Sequence, residues 1–333
     1  MLKISINSQQ EVWSGEIFSY QKTLRYITRS INNYSYNNEY FRVLRDSPAA
    51  NVQLYYSADP IDKNHYSHQY KIFMNQAETD LLSPRKAEIY ASGDEIWTAN
   101  YLGKKAMVNA GLPGDKVFVY EHGVDSKIYR PKLRGTKNII KFLHIDAGAG
   151  RKRADLSVKA FKKLYANNEK YSLTLKFYGK EKRLEVIDKN IFAIYGNFSE
   201  NDMNNLFQDH DILLHPSEGE GFGLVPLEAM ATGMPVISTA GWCSYSSFLN
   251  KNIIKSKIGP SKTDWGYPKF GNAENPDLDS LIHLMENNVE NIEEYSGLFF
   301  NQSQKIAEKY NWNVQTKIIM DNLVGRIGPS CFR

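Results

Sequence analysis

The chain has 333 residues, 42% of them hydrophobic and 23% charged, which suits two globular domains at roughly 100–200 residues each and excludes a disordered chain. Lysine and arginine number 41 against 37 acidic residues, and the first 130 residues carry 15 against 14, so neither half has the basic excess of a nucleic-acid-binding domain. A local basic patch for phosphate or anionic lipid remains compatible with this balance, because net charge averages patches away.

The first half alternates short apolar runs with helical stretches. "KISIN" (3–7) reads as a strand, and residues 15–31 read as a helix with Ile17, Tyr20, Leu24, Ile27 and Ile31 on one face. Residues 41–45, 52–57, 70–75, 95–99 and 116–123 read as strands, with a helix over about 101–110 between the last two. "HGVDSKIYRPKLRG" (122–135), punctuated by Gly123, Pro131 and Gly135, reads as a linker. The alternation then restarts: strand 139–146, helix 153–168, strands 173–179 and 192–196, and a helix at 200–210 capped by Ser199. The strand "DILLHP", the helix "LVPLEAMATG" and the strand 235–239 follow, and residues 277–290, 291–310 and 312–326 read as helices. Residues 250–276 read as loop. Two α/β units with mostly parallel sheets follow from this order.

Only Cys243 and Cys331 occur, too few for a disulfide framework, which favours a reducing compartment. The opening "MLKISINSQQEVW" lacks the apolar core of a signal peptide, and no run of about 18 apolar residues could span a membrane.

The segment "HPSEGEGFGLVPLEAMATGMPV" (215–236) carries the chemistry. Gly219, Gly221 and Gly223 permit an open turn, and Pro226 fits the first turn of a helix. Strand, glycine loop and helix start make a phosphate-binding layout. A carboxylate beside a phosphate would repel it, so Glu220 and Glu228 make sense as acceptors for hydroxyls on either side of it. Phosphates flanked by two diols describe a nucleotide-sugar. Without such a ligand, the segment is a plain strand-to-helix turn with Glu228 complementing the helix dipole. Glu218 is expected to be a solvated loop residue.

"EGEGFGLVPLEAMATGMPVI" resembles the Glu-x7-Glu signature of glycosyltransferase family 4, whose members have the GT-B fold and retain anomeric configuration. The resemblance implies that Glu220 binds the donor sugar and Glu228 the ribose. It also implies that the backbone of Gly221, Phe222, Gly223, Leu224 and Val225 receives the diphosphate and sugar. "DAGAGRKRADL" (146–156) supplies Arg151, Lys152 and Arg153 at a helix start, where cations oppose the dipole and so ask for an anion. "KRADLSVKAF" is similar to the family's "KGxDxLxxAF", which puts Lys152 on the phosphate-clamp lysine and leaves Arg151 as the arginine. Two departures stand out: Arg153 replaces the usual glycine, and Ala147 occupies the position where many members place the arginine. "YGNFSENDMNNLF" resembles the segment near the donor base, which makes Asn197 and Phe198 candidates. "EHGVDSKIYRP" resembles the interdomain segment with His122 replacing asparagine, and "YNWNVQTKII" the terminal helix that returns to the first domain.

The first domain departs further. Of a glycine-rich loop after the first strand it keeps Ser14-Gly15, and where members often place a histidine its strand ends in Asn75 and Glu78. Glu78 is the candidate from that domain. His65 and His68 lack partners that would complete a metal set, no Asp-x-Asp follows a strand, and no G-x-G-x-x-G follows the first strand.

These readings combine into an α/β GT-B chain. Residues 1–130 form an acceptor-binding Rossmann-like domain, onto which 312–333 fold back, and 131–311 a nucleotide-sugar-binding one. Lys152, Arg151, Glu220 and Glu78 are the expected catalytic set. Glu228, Gly221–Val225, Asn197 and Phe198 are the expected donor site. The expected activity is metal- and cofactor-independent transfer of a hexose from a nucleotide-diphosphate sugar to a glycan, lipid-linked or protein acceptor. No nucleic-acid partner is expected, and the location is cytoplasmic, compatible with peripheral contact at the inner face of a membrane. Two alternatives stay open: a non-catalytic GT-B partner of an active transferase, and a sugar-nucleotide epimerase.

Overall fold

The computed structural model describes residues 1–7, 19–45, 47–56, 69–135, 137–146, 150–240, 248–249, 251–264 and 270–333. The chain divides into two compact units, Met1–Gly123 with Lys309–Arg333, and Val124–Glu308. Ser14-Gly15, His65, His68, Ala147 and Cys243 lie outside the described residues.

In the first unit, strands β1 (Leu2–Asn7), β2 (Ser35–Tyr36), β3 (Glu39–Arg45), β4 (Val52–Tyr56), β5 (Tyr70–Met74), β6 (Glu95–Thr98) and β7 (Val117–Val119) form one sheet of order β2-β3-β1-β4-β5-β6-β7. Its pairs are parallel except β2–β3. That antiparallel edge escapes sequence pattern because β2 is two residues long; its turn is made by Asn37 and Asn38, both at positive φ, a conformation asparagine tolerates. Helix α1 (Ser19–Asn32) buries Leu24, Ile27 and Ile31, the 3–4 spacing expected of it. Helices α2 (Pro84–Ala91) and α3 (Tyr101–Asn109) complete the unit's N-terminal part.

In the second unit, β8 (Ile140–Asp146), β9 (Tyr171–Phe177), β10 (Arg183–Asp188), β11 (Ile191–Tyr195), β12 (Ile212–His215) and β13 (Val236–Ser238) form a sheet of order β10-β11-β9-β8-β12-β13. Pairing is parallel except at the β10–β11 edge. Helices α4 (Ala154–Tyr165), α5 (Glu200–Asp209), α6 (Leu224–Ala231), α7 (Leu278–Glu290) and α8 (Ile292–Lys309) accompany it. Phe142, Leu173, Leu175 and Leu214 on the sheet pack with Phe161, Tyr165, Leu281 and Met285 in one core. Ser199 caps α5 in a capping box with Asp202. Residues 250–276, expected to be loop, contain an antiparallel pair, β14 (Ser256–Gly259) with β15 (Ala273–Pro276).

The chain enters the second unit at Val124, ahead of the 130/131 division read from the linker. Residues 124–130 are tied to it by Tyr129, which is buried and packs 6.1 Å from Phe207, and by the Arg130 carbonyl, which accepts from Gln208 (2.6 Å). Just beyond them Arg134, which is 2% exposed, donates to the carbonyls of His210 (2.9 Å), Phe207 (2.7 Å) and Thr232 (3.0 Å). Burial pushes its pKa down to about 10, against the pull of Asp211, so it stays charged at neutral pH. A proline- and glycine-punctuated sequence therefore packs as part of the second unit. At the other end, α9 (Trp312–Ile327) belongs to the first unit. Trp312 stacks on Tyr26 at 5.3 Å, Tyr34 donates to Asp321 (2.7 Å), and Arg326 grips Glu95 with 2.7 and 2.8 Å contacts.

Each unit buries a neutral histidine. His122, fully buried, lies 3.3 Å from the Gln76 amide; His144 is held by Ser157 (2.9 Å) and the Leu214 carbonyl (3.1 Å). Burial pushes both down to about 3, aided at His144 by the nearby charge of Lys152. Below the ordinary histidine range the unfolded chain takes up protons that the folded chain refuses, so stability falls as pH drops. Each histidine is expected to cost about 2 kcal/mol at pH 5 relative to pH 7.5. Urea unfolding of wild type and of His122→Gln and His144→Gln at both pH values tests this; a pH dependence identical in all three proteins contradicts it.

Candidate active site

The order of the second sheet reverses between β8 and β12: β9 and β11 lie to one side of β8, β12 and β13 to the other. In open α/β sheets the crevice at the strands' carboxyl ends, at such a reversal, is where ligands bind. Here β8 leads into the turn Gly150–Lys152, and β12 into the glycine loop 216–223. The helices that open there also differ from five of the others. Helices α2, α3, α5, α7 and α9 have side-chain caps from Ser83, Asn100, Ser199, Asp277 and Asn311. Helices α4 and α6 have none, and each begins at a left-handed residue, Arg153 (φ 58°) and Gly223 (φ 84°). Two helix starts, with the unpaired first-turn amides every helix has, thus face the reversal without a side-chain oxygen of their own.

Arg151, Lys152 and Glu220 meet in this crevice. The Oε1 atom of Glu220 accepts from the Lys152 ammonium, from Arg151 Nη1 (2.9 Å), from Ser217 Oγ (3.1 Å) and from His215 Nε2 (3.2 Å). Arg151 Nη1 also donates to the Gly219 carbonyl at 2.7 Å. Burial alone would raise the Glu220 pKa, but Arg151, Lys152 and His215 overcome it and hold the carboxyl well below the usual range. The cluster's stabilisation is therefore present at neutral pH and is lost only as pH falls below the ordinary glutamate range. Burial lowers His215, with Glu220 opposing, so the ring is neutral and serves as a donor. Two cations thus share one carboxylate oxygen beside a neutral imidazole.

Glu228 sits on α6 and is 3% exposed. Gly221, Phe222 and Gly223 are buried, Leu224 and Val225 half-buried, and Phe222 packs 6.0 Å from Phe248. Asn197 and Phe198 are half-buried in the turn between β11 and α5. Glu78 belongs to the first unit, where it is half-buried in the bend after β5.

Glu218 is not the solvated residue expected of it. It is fully buried, accepting from Arg153 Nη1 (3.1 Å), Thr263 Oγ1 (2.9 Å) and the Ser261 hydroxyl, while its amide donates to the Arg151 carbonyl at 2.7 Å. Arg153 is also claimed by Asp155 at 2.9 Å, so of the three cations at this helix start only Arg151 and Lys152 face Glu220. The left-handed backbone at Arg153 gives a physical reason for the glycine in the motif that this segment resembles: a non-glycine residue there costs about 1 kcal/mol or more. Gly150 is required by a close approach, since a Cβ would lie 2.2 Å from the Asp264 carbonyl. His215 and Ser217 gained no role from sequence. Their signal was position, at the end of a strand and within five residues of Glu220.

Among the described residues, no group of three or more histidine, cysteine or acidic side chains is placed to hold a metal. Nor is any helix among them long and apolar enough to cross a membrane.

Residues 125–260 match the family described as "Glycosyl transferases group 1". The lipopolysaccharide glucosyltransferase WaaG of Escherichia coli is 27% identical over 146 residues, 42% of this chain and 38% of WaaG. The sulfoquinovosyl transferase SQD2 of Arabidopsis thaliana is 23% identical over 145 residues, 41% of the chain and 28% of that protein. The chain thus spans less than half the length of the curated relatives it matches. In structure, HepE of Anabaena in complex with UDP and glucose superimposes with TM-score 0.69 at 11% identity, covering 97% of this chain and 99% of HepE. Sucrose-phosphate synthase of Thermosynechococcus elongatus gives 0.70 at 11% identity, over 99% and 100%. At such identities the likeness speaks for the fold, and the fold is GT-B, α/β with two Rossmann-like units.

Proposed function

We propose that this protein is a retaining, metal-independent glycosyltransferase that moves a hexose from a nucleotide-diphosphate sugar to a hydroxyl of a glycan, lipid-linked or protein acceptor. The observation that carries the proposal is the convergence of Arg151 and Lys152 on Glu220 where two helices open without side-chain caps at the sheet reversal. A diphosphate brought there meets two cations and two helix starts, which stabilise the charge growing on the departing oxygen. Glu220 holds the sugar hydroxyls and Glu228 the ribose diol. The bond from the anomeric carbon to the phosphate oxygen breaks, the bond to the acceptor oxygen forms on the same face, and the departing phosphate takes the acceptor's proton. Arg151 and Lys152 supply by themselves the charge compensation that a divalent cation supplies elsewhere. The match to glycosyl transferases group 1 over 125–260, which includes Lys152, Glu220 and Glu228, supports the reading.

Thermal unfolding of the purified protein with UDP-, GDP- and ADP-sugars, paired with an assay for released nucleotide, tests it. UDP-glucose, whose components HepE holds, is the first donor to try. A donor is expected to raise the melting temperature by mass action and to release nucleotide when acceptor is added. Stabilisation without turnover identifies a non-catalytic partner, and release of free sugar without acceptor a hydrolytic or epimerising enzyme. No stabilisation by any donor removes the proposal.

A further inference from the structure

Strands β9 and β11 are parallel neighbours, and a parallel pair is ordinarily joined by a helix that covers one face of the sheet. Here residues 178–190, which join them, form no helix. They contain β10, which turns back to pair antiparallel with β11 and makes the edge of the sheet. The register sets Leu184 beside Ile194 and Val186 beside Phe192 on one face, and Ile187 follows at a register shift. Leu184 is 66% exposed, Val186 68% and Ile187 50%, while Phe192 and Ile194 are half-buried. Single exposed aliphatic residues are ordinary on a protein surface, but a contiguous set on an edge strand is a site of association.

The charges on β10 identify the partner. Charged side chains usually protect an edge, because like charges meet when two copies pair. On the other face of β10, however, Arg183 and Glu185 flank Leu184 with opposite signs, 3.0 Å apart. We propose that β10 pairs with β10 of a second copy of this chain, edge to edge and antiparallel, about a two-fold axis at Leu184. A two-fold axis perpendicular to a sheet sets each residue opposite one that points to the same face. Centred on Leu184, it brings Leu184 against its own copy, Val186 against the aliphatic stem of Lys182, and Arg183 against Glu185 twice. The neighbouring registers are worse. Centred on Glu185, two carboxylates meet; centred on Val186, Leu184 meets the register shift at Ile187 and Asp188. The pairing satisfies the outer backbone groups of β10 and joins the two sheets into one.

Sedimentation equilibrium of the full chain, at concentrations up to about 0.1 mM, tests this. The interface is small, so wild type is expected to form a dimer that dissociates in the micromolar range. Arg183→Glu and Glu185→Arg each set like charges opposite one another and are expected to weaken the dimer about tenfold or more. Mixed in equal amounts, the two variants again place glutamates against arginines and are expected to regain near wild-type affinity, which a folding defect would not allow. A wild-type chain that is monomeric at about 0.1 mM overturns the proposal and needs no variant. So does a dimer that both variants leave intact, or a mixture that associates no better than either variant alone. A monomer that instead floats with phosphatidylglycerol vesicles gives the patch to a membrane surface and overturns it as well.

Discussion

Replacing Lys152 by alanine is expected to lower donor turnover about a hundred- to a thousandfold, the loss typical when one charge-stabilising group is removed from a transition state. The ammonium is buried against Glu220 and the Arg151 guanidinium lies on the same oxygen, so the two cations face one small space. In the ground state the diphosphate's charge is already delocalised and partly solvated. As the glycosidic bond breaks, charge concentrates on the departing oxygen, where a fixed ammonium in a water-poor site has its largest effect. The loss should therefore appear in kcat more than in KM. The rest of the cluster survives the substitution, because Arg151, His215 and Ser217 still donate to Glu220. Steady-state kinetics of nucleotide release, with the melting temperature as a control for folding, is the measurement. Turnover within a few-fold of wild type in a folded variant removes Lys152 from the catalytic set.

The second large effect falls on Glu228. Its alanine variant is expected to bind UDP about ten- to a hundredfold more weakly, as hydrogen bonds to a charged acceptor are worth about 1.5–3 kcal/mol. The side chain is 3% exposed and lies one turn into α6, so it is set by a rigid helix beside the first-turn amides. A carboxylate can accept from both hydroxyls of a ribose diol, and 2′-deoxy-UDP lacks one of them. Wild type should prefer UDP to 2′-deoxy-UDP, and Glu228→Ala should lose most of that preference. If both proteins discriminate equally between the two nucleotides, Glu228 does not hold the ribose.

Much of this arrangement was legible in the sequence because its signals are local. The β/α alternation set both units, and the spacing of Glu220, Glu228 and the glycines lies within a single turn of chain. Lys152 joined them because its helix start could be recognised. The parts that were not legible depend on residues far apart. Glu218 looked solvated because Ser261 and Thr263, which bury it, are more than 40 residues away in a stretch that read as loop. Arg134 lay within a segment with the composition of a linker, and the carbonyls it binds come from two other parts of the unit, the ends of α5 and α6. Strand β2, too short to have a period, left no pattern to find.

The division of the chain has a consequence for synthesis. The second unit is a continuous segment, Val124–Glu308, inserted between the two parts of the first. The first unit cannot be completed until Lys309–Arg333 has been made. Its seam is tight: a Cβ on Gly123 would lie 2.6 Å from the Trp312 amide nitrogen, and Tyr120 pairs with Thr316 at 2.5 Å. Domains usually mature in the order in which they leave the ribosome. Here the order is expected to invert: the second unit has all of its chain by Glu308 and can close its core, while the first unit waits with an uncovered face for α9.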